Sequence, residues 1–191
     1  MKPIIKSGSR AALVALLFLL AAIARAQTAP DASGAGESLW VGAEYVNLQA
    51  GFPAGSSVRL FGAGAYGNFN WNHHFGLEAR ASFLNFGQWH GETEQDYLAG
   101  PRYTFLRRNR VRPYAAFDAG LVKIQYPFNM GTGTSFAIAP GGGFEYRLNR
   151  RFSVRASYEY QILFNSPDFT NEPHFGIRPQ GIRAGISCRI H

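Results

Sequence analysis

Residues 58–83 hold two runs of alternating apolar and small or polar side chains, joined by a short polar turn. Phe61, Ala63, Ala65 and Phe69 fall on one side of the first run, and Gly62, Gly64, Tyr66 and Asn68 on the other, which is the strand period of two. After a turn at 70–74, Phe75, Leu77, Ala79, Ala81 and Phe83 make an apolar side opposite Gly76, Glu78, Arg80 and Ser82. The same alternation recurs at 39–48, 97–106, 114–121, 136–148, 152–162 and 176–190, so the pattern predicts eight strands. Each is close to or above the roughly 9 to 11 residues that cross a bilayer at a tilt. The connections are expected to alternate: longer loops at 51–57, 87–96, 127–135 and 165–174, shorter turns at 70–74, 107–111 and 149–151. Short turns on one side and longer loops on the other are the habit of transmembrane barrels, and an even strand number returns both chain ends to the short-turn, periplasmic side.

A soluble barrel of the lipocalin kind and a membrane barrel share this alternation but turn opposite faces to the solvent. One face here carries Glu44, Glu78, Arg80, Arg102, Asp118, Glu145, Arg147, Arg155, Glu159 and Arg183, interleaved with many Gly. On an outer surface that much Gly weakens strands with no packing gain, whereas in a narrow lumen it leaves room for long charged side chains. Aromatics gather toward the strand ends: Phe69, Trp71, Phe75, Tyr103, Phe105 and Phe152 near the short turns, and Phe83, Phe86, Trp89, Tyr126, Phe128, Phe136 and Phe164 toward the longer loops. They form two girdles at interfacial depth. The expected fold is an all-β, eight-stranded antiparallel up-and-down transmembrane β-barrel.

The N-terminus adds a destination. Residues 1–26 have a basic start, an apolar run from 11 to 23 and Ala24-Arg25-Ala26 as a cleavage site, the layout of a secretory signal peptide. Residues 27–37 read as a flexible polar linker and 38–191 as the barrel. Removing the leader takes four basic residues and no acid, so the net charge falls from +7 to +3, poor grounds for nucleic-acid binding. The single Cys188 excludes an internal disulfide framework and reads as a small apolar lipid-facing residue.

Three stretches, 62–79 (GAGAYGNFNWNHHFGLEA), 141–161 (GGGFEYRLNRRFSVRASYEYQ) and 185–190 (GISCRI), resemble the N-terminal transmembrane domain of the OmpA family. The resemblance implies a monomeric bacterial outer-membrane barrel that helps tie the envelope together and is inserted by the barrel-assembly machinery. Its lipid partners are lipopolysaccharide outside and phospholipid inside. In that family a lumen quartet of two acids and two bases is treated as a gate that exchanges ion-pair partners, and by position in the matching motifs Glu78, Arg102, Glu145 and Arg155 stand for it. Arg102 occupies a place where the family often has Lys, which keeps the charge but changes its geometry to a planar fork. With the chain ending at His191, no periplasmic cell-wall domain is expected.

No other constellation outranks that quartet. Gly62, Gly64 and Gly67 spell GxGxxG, but the alternation runs straight through them, where a dinucleotide site needs a strand-to-helix turn. His73 and His74 share a turn and His90 and His174 stand alone in loops, so solvated His is expected and neither metal nor cofactor. An enzymatic alternative, a lipid A acyl hydrolase, needs a nucleophile, His and acid together. It has His90 and His174 with Ser166, Asp168 and Glu92 as partners, but no His beside a Ser on one strand face. A second alternative, a surface adhesin or receptor, rests on Trp89, Tyr126 and Phe128 as loop anchors. The main expectation is a non-enzymatic envelope barrel in which the quartet is a structural polar core that holds the barrel shut, with a narrow gated pore through the charged lumen as the sharper reading of the same residues. Its external loops are acidic (Glu92, Glu94, Asp96, Asp168, Glu172), and its short turns are basic (Arg107, Arg108, Arg110, Arg150, Arg151), suited to anionic phospholipid headgroups.

Overall fold

A computed structural model describes residues 38–51, 57–86, 91–106, 110–125, 131–164 and 177–190, and for 51, 57, 58 and 86 the backbone alone. The strands are β1 (Ser38–Gly51), β2 (Ser57–Asn70), β3 (Phe75–Phe86), β4 (Thr93–Thr104), β5 (Val111–Gln125), β6 (Thr132–Arg147), β7 (Phe152–Tyr160), β8 (Ile162–Phe164) and β9 (Arg178–Arg189). All pairings are antiparallel, β1 joins β9, and β5 pairs with β6 as well as β4, so the sheet closes on itself.

The barrel has eight strand positions because β7 and β8 occupy one. Gly141 opposite Glu159 and Ile138 opposite Ile162 belong to a single unshifted register. Gln161, between them, drops out of the ladder for a reason written in two prolines. The register puts Pro140 opposite Tyr160 on one side, and Gln161 donates its N–H to the Pro179 carbonyl on the other. Neither proline has an N–H to return, so two consecutive residues each lose a carbonyl partner. The single strand expected over 152–162 is therefore interrupted near its outer end, not displaced.

The faces are assigned as the alternation implies. On β3, Glu78 is 1% exposed and Arg80 9%, while outward Phe75 and Leu77 are 50% and 49% exposed. The outward row continues through Val41, Tyr45, Phe69, Phe117, Leu121, Phe144, Tyr158, Ile182 and Ile186. So extensive an apolar exterior around a charged interior is stable only where the surroundings are lipid. Cys188 lies on this outward row, half-buried. Girdle residues Phe69, Trp71, Phe75, Tyr103, Phe105 and Phe152 are exposed at one end, and Phe83, Phe136 and Phe164 at the other. The side chain of Phe86, and Trp89, Tyr126 and Phe128, lie outside the described residues.

The expected contrast of long and short connections is corrected. Between strands lie 52–56, 87–92 and 126–131 on the side read as external, against 71–74, 105–110 and 148–151 on the other, and 165–177 is the one long span. The difference arises because β4 begins at Thr93 and β6 at Thr132, inside segments read as loops. Glu94 and Asp96 are accordingly not loop carboxylates in water. They sit on the inward face of β4, 2% and 0% exposed, with Glu92 buried just ahead of them.

Candidate functional site

The lumen has two layers. Toward the end where β1 finishes, apolar side chains gather in two clusters, with the buried carboxyls of Glu92 and Glu94 at the same end. Val46, Leu48, Leu60 and Leu84 form one, and Ala50, Leu98, Val122, Ile124, Ala137, Ala139, Leu163 and Ile177 the other. Beneath them lies a network of four guanidinium groups and six carboxylates. Each member reaches the axis because it falls on the inward parity of its strand.

The four residues singled out in the sequence are brought together. Arg155 on β7 donates through Nη1 to Glu78 Oε2 at 2.7 Å and through Nη2 to Glu44 Oε2 at 2.5 Å. Arg102 on β4 reaches Glu78 Oε2 at 3.4 Å and Glu145 Oε1 at 2.8 Å. Asn68 lies against Glu78, Glu145 and Arg102. Both guanidinium groups rest on aromatic rings, Arg155 3.3 Å above the Tyr66 centroid and Arg102 3.8 Å above that of Tyr114, a cation–π placement that fixes the forks while their edges stay free for carboxylates. Tyr66 fits because Gly42 and Gly185 flank it: a Cβ on Gly42 would lie 2.6 Å from the ring, and one on Gly185 3.0 Å.

The quartet is four of the ten groups in the network, which also holds Glu44, Arg80, Asp96, Asp118, Glu159 and Arg183. Glu44 ties Arg155 to Arg183, whose Nη1 donates to it at 2.9 Å and to Ser82 Oγ at 2.7 Å. Arg183 also holds Asp96 at 3.0 Å and both Glu159 oxygens at 3.0 Å. Arg80 links back from Glu159 and Asp118, the latter at 3.1 Å, to Glu78 at 3.6 Å. Gln161, at the break between β7 and β8, donates to Glu159 at 2.6 Å. Glu44, Arg183 and Asp96 were outside the expected quartet. The signal for Glu44 and Arg183 was their inward parity, and Asp96 was hidden by its place in a segment read as loop. A cavity of about 10 Å³ beside Glu78, Arg80 and Glu159 has room for about one water.

The sequence matches the outer membrane protein beta-barrel domain family over residues 12–189. The chain belongs to that family. Among solved structures, Neisserial surface protein A matches with a TM-score of 0.67 at 17% identity, covering 80% of this chain and 98% of that one. Ail of Yersinia pestis, in complex with the heparin analogue sucrose octasulfate, matches at 0.54 and 18%, covering 80% and 98%. The N-terminal barrel of Pseudomonas aeruginosa OprF matches at 0.49 and 15%, covering 81% and 99%. At these identities the likeness to the first two is one of fold. No curated protein matches the chain by sequence.

As an outer-membrane barrel the protein sits in a bacterial outer membrane, and its remaining candidates take their places on that frame. His74 donates from Nδ1–H to the Thr104 carbonyl at 2.8 Å and stacks on Tyr103, a turn contact at the rim. Among the described residues no group of three His, Cys, Asp or Glu is arranged to hold a metal, the Glu92, Glu94 and Asp96 column included. Burial pushes the Glu92 carboxyl, just ahead of β4, up to about 7. Of the residues weighed for acyl chemistry, Glu92 faces inward, and His90, His174, Ser166 and Asp168 lie outside the described residues. So do the acids Asp168 and Glu172, the turn residues Arg107 and Arg108, the leader 1–26 and the linker 27–37.

Proposed function

We propose that the protein is a structural envelope barrel whose lumen is sealed at rest, with Glu78, Arg102, Glu145 and Arg155 acting as part of the lock. The observation that carries this reading is the apolar clusters lying over a connected ion network on the barrel axis. A buried charge whose partner is removed costs about 3 to 5 kcal/mol, so an interlocked network of this kind resists opening.

A gated conduit is the second reading, and one feature favours it. Glu78 is contacted by Arg80, Arg102 and Arg155 at once, so it keeps a partner when one Arg swings away. Conduction then also requires Val46, Leu48, Leu60 and Leu84 to move from the axis. Planar-bilayer recording of the refolded protein, with insertion verified on the same preparation, separates the two. The sealed barrel gives no discrete steps, and Leu48→Ala with Leu84→Ala is expected to introduce small ones. Discrete steps in the wild type that change in Arg155→Ala would overturn the sealed reading in favour of the gate.

A further inference from the structure

Charge in this barrel is sorted by face. Every described Asp and Glu is turned inward and none is exposed, whereas Arg59, Arg110, Lys123, Arg150, Arg151, Arg178 and Arg189 are exposed. Four of these cations gather at the end carrying the short turns. The Arg147 N–H donates to the Arg110 carbonyl at 2.9 Å, and the Arg189 N–H to the Arg151 carbonyl at 2.8 Å, which draws the strand ends of β5, β6, β7 and β9 into one arc. Within it Asn149 Oδ1 accepts from the N–H groups of Arg151 at 2.8 Å and Phe152 at 2.7 Å, pinning the turn that presents Arg150 and Arg151. Exposed Tyr146, Leu148 and Phe152 border the arc on its bilayer side, the depth at which headgroups begin. The opposite arc of the same rim, around Trp71, His73 and His74, carries no Arg among its described residues.

We propose that Arg110, Arg150 and Arg151 form a one-sided binding site for anionic phospholipid headgroups of the periplasmic leaflet. An Arg fork takes a phosphate in a bidentate grip, and the neighbouring aromatics hold the glycerol and upper acyl segments. No exposed carboxylate stands at the described rim to compete for the guanidinium groups.

Native mass spectrometry of the detergent-refolded protein, titrated with phosphatidylglycerol or phosphatidylcholine, tests this. The wild type is expected to retain phosphatidylglycerol preferentially, and R110Q/R150Q/R151Q to lose at least about tenfold of that retention, given the contribution of each surface Arg. High salt should remove the same preference. Heat-modifiable gel migration checks that the variant is folded, and if it is not, R150Q alone is expected to lose about fivefold. Equal retention of the two lipids by the wild type would overturn the proposal. So would an unchanged preference in the variants, or an equal loss in R59Q/K123Q at the other rim. Inorganic phosphate offered alone should give no adduct, and an adduct lost in the same Arg variants would assign the patch to soluble anions instead.

Discussion

Arg155 is the residue on which the two halves of the lumen network meet. It holds Glu78 and Glu44 with separate nitrogens and lies flat on Tyr66. Arg155→Ala leaves both carboxylates buried with fewer partners, and a loss of about 3 to 5 kcal/mol is expected. The readout is a lower midpoint in urea unfolding from lipid vesicles, and an unchanged midpoint would remove Arg155 from the lock. Glu92 gives a pH dependence of definite sign. Its carboxyl is raised from 4.5 to about 7, so the folded barrel holds the proton more tightly than the unfolded chain. That contribution is neutral below about 4.5, and stability falls as pH rises through about 7, by at most about 3 kcal/mol. Unfolding midpoints across this window should fall in the wild type and flatten in Glu92→Gln, whereas equal slopes would contradict the assignment. At this scale the sequence disclosed which side chains face inward, because parity alone decides it. It did not disclose who pairs with whom, since Arg183 meets Glu44, Asp96 and Glu159 only through the curvature that brings β9, β1, β4 and β7 to one axis.

Among the elements, the strand shared by β7 and β8 loses ladder bonds near its outer end. Pro140 and Pro179 withhold donors from Tyr160 and Gln161, leaving backbone carbonyls to other partners. Amide exchange by mass spectrometry is expected to be faster across 160–162 than across 154–158 of the same strand. Uniform protection would show that the prolines cost the ladder nothing. The strand centres were legible in the sequence and the outer strand ends were not. Gly87 through Asp96 was read as an acidic loop because charge density resembles a solvated turn. Yet Glu92, Glu94 and Asp96 keep the even parity of Leu98, Gly100 and Arg102 on β4. Inward acids look like loop residues when the inside of the fold is polar.

The whole molecule is a sheet turned inside out, with apolar side chains such as Phe75, Leu121 and Ile182 facing outward and Glu78, Arg155 and Arg183 on the axis. That inversion was legible from the charged and Gly-rich face together with the placement of the aromatics. The apolar layer over the ion network was not, because Leu48, Leu60 and Leu84 share the parity of the charged residues and fill the lumen at a height that only the register reveals. This closed barrel is folded for a bilayer. Gel migration of the detergent-refolded chain, with and without boiling, tests it most directly. A closed barrel resists unfolding by the gel detergent until heated, so the unboiled form should migrate apart from the boiled one, and the chain should precipitate when detergent is withdrawn. A single band in both lanes, from a chain that stays in solution without detergent, would contradict the membrane barrel.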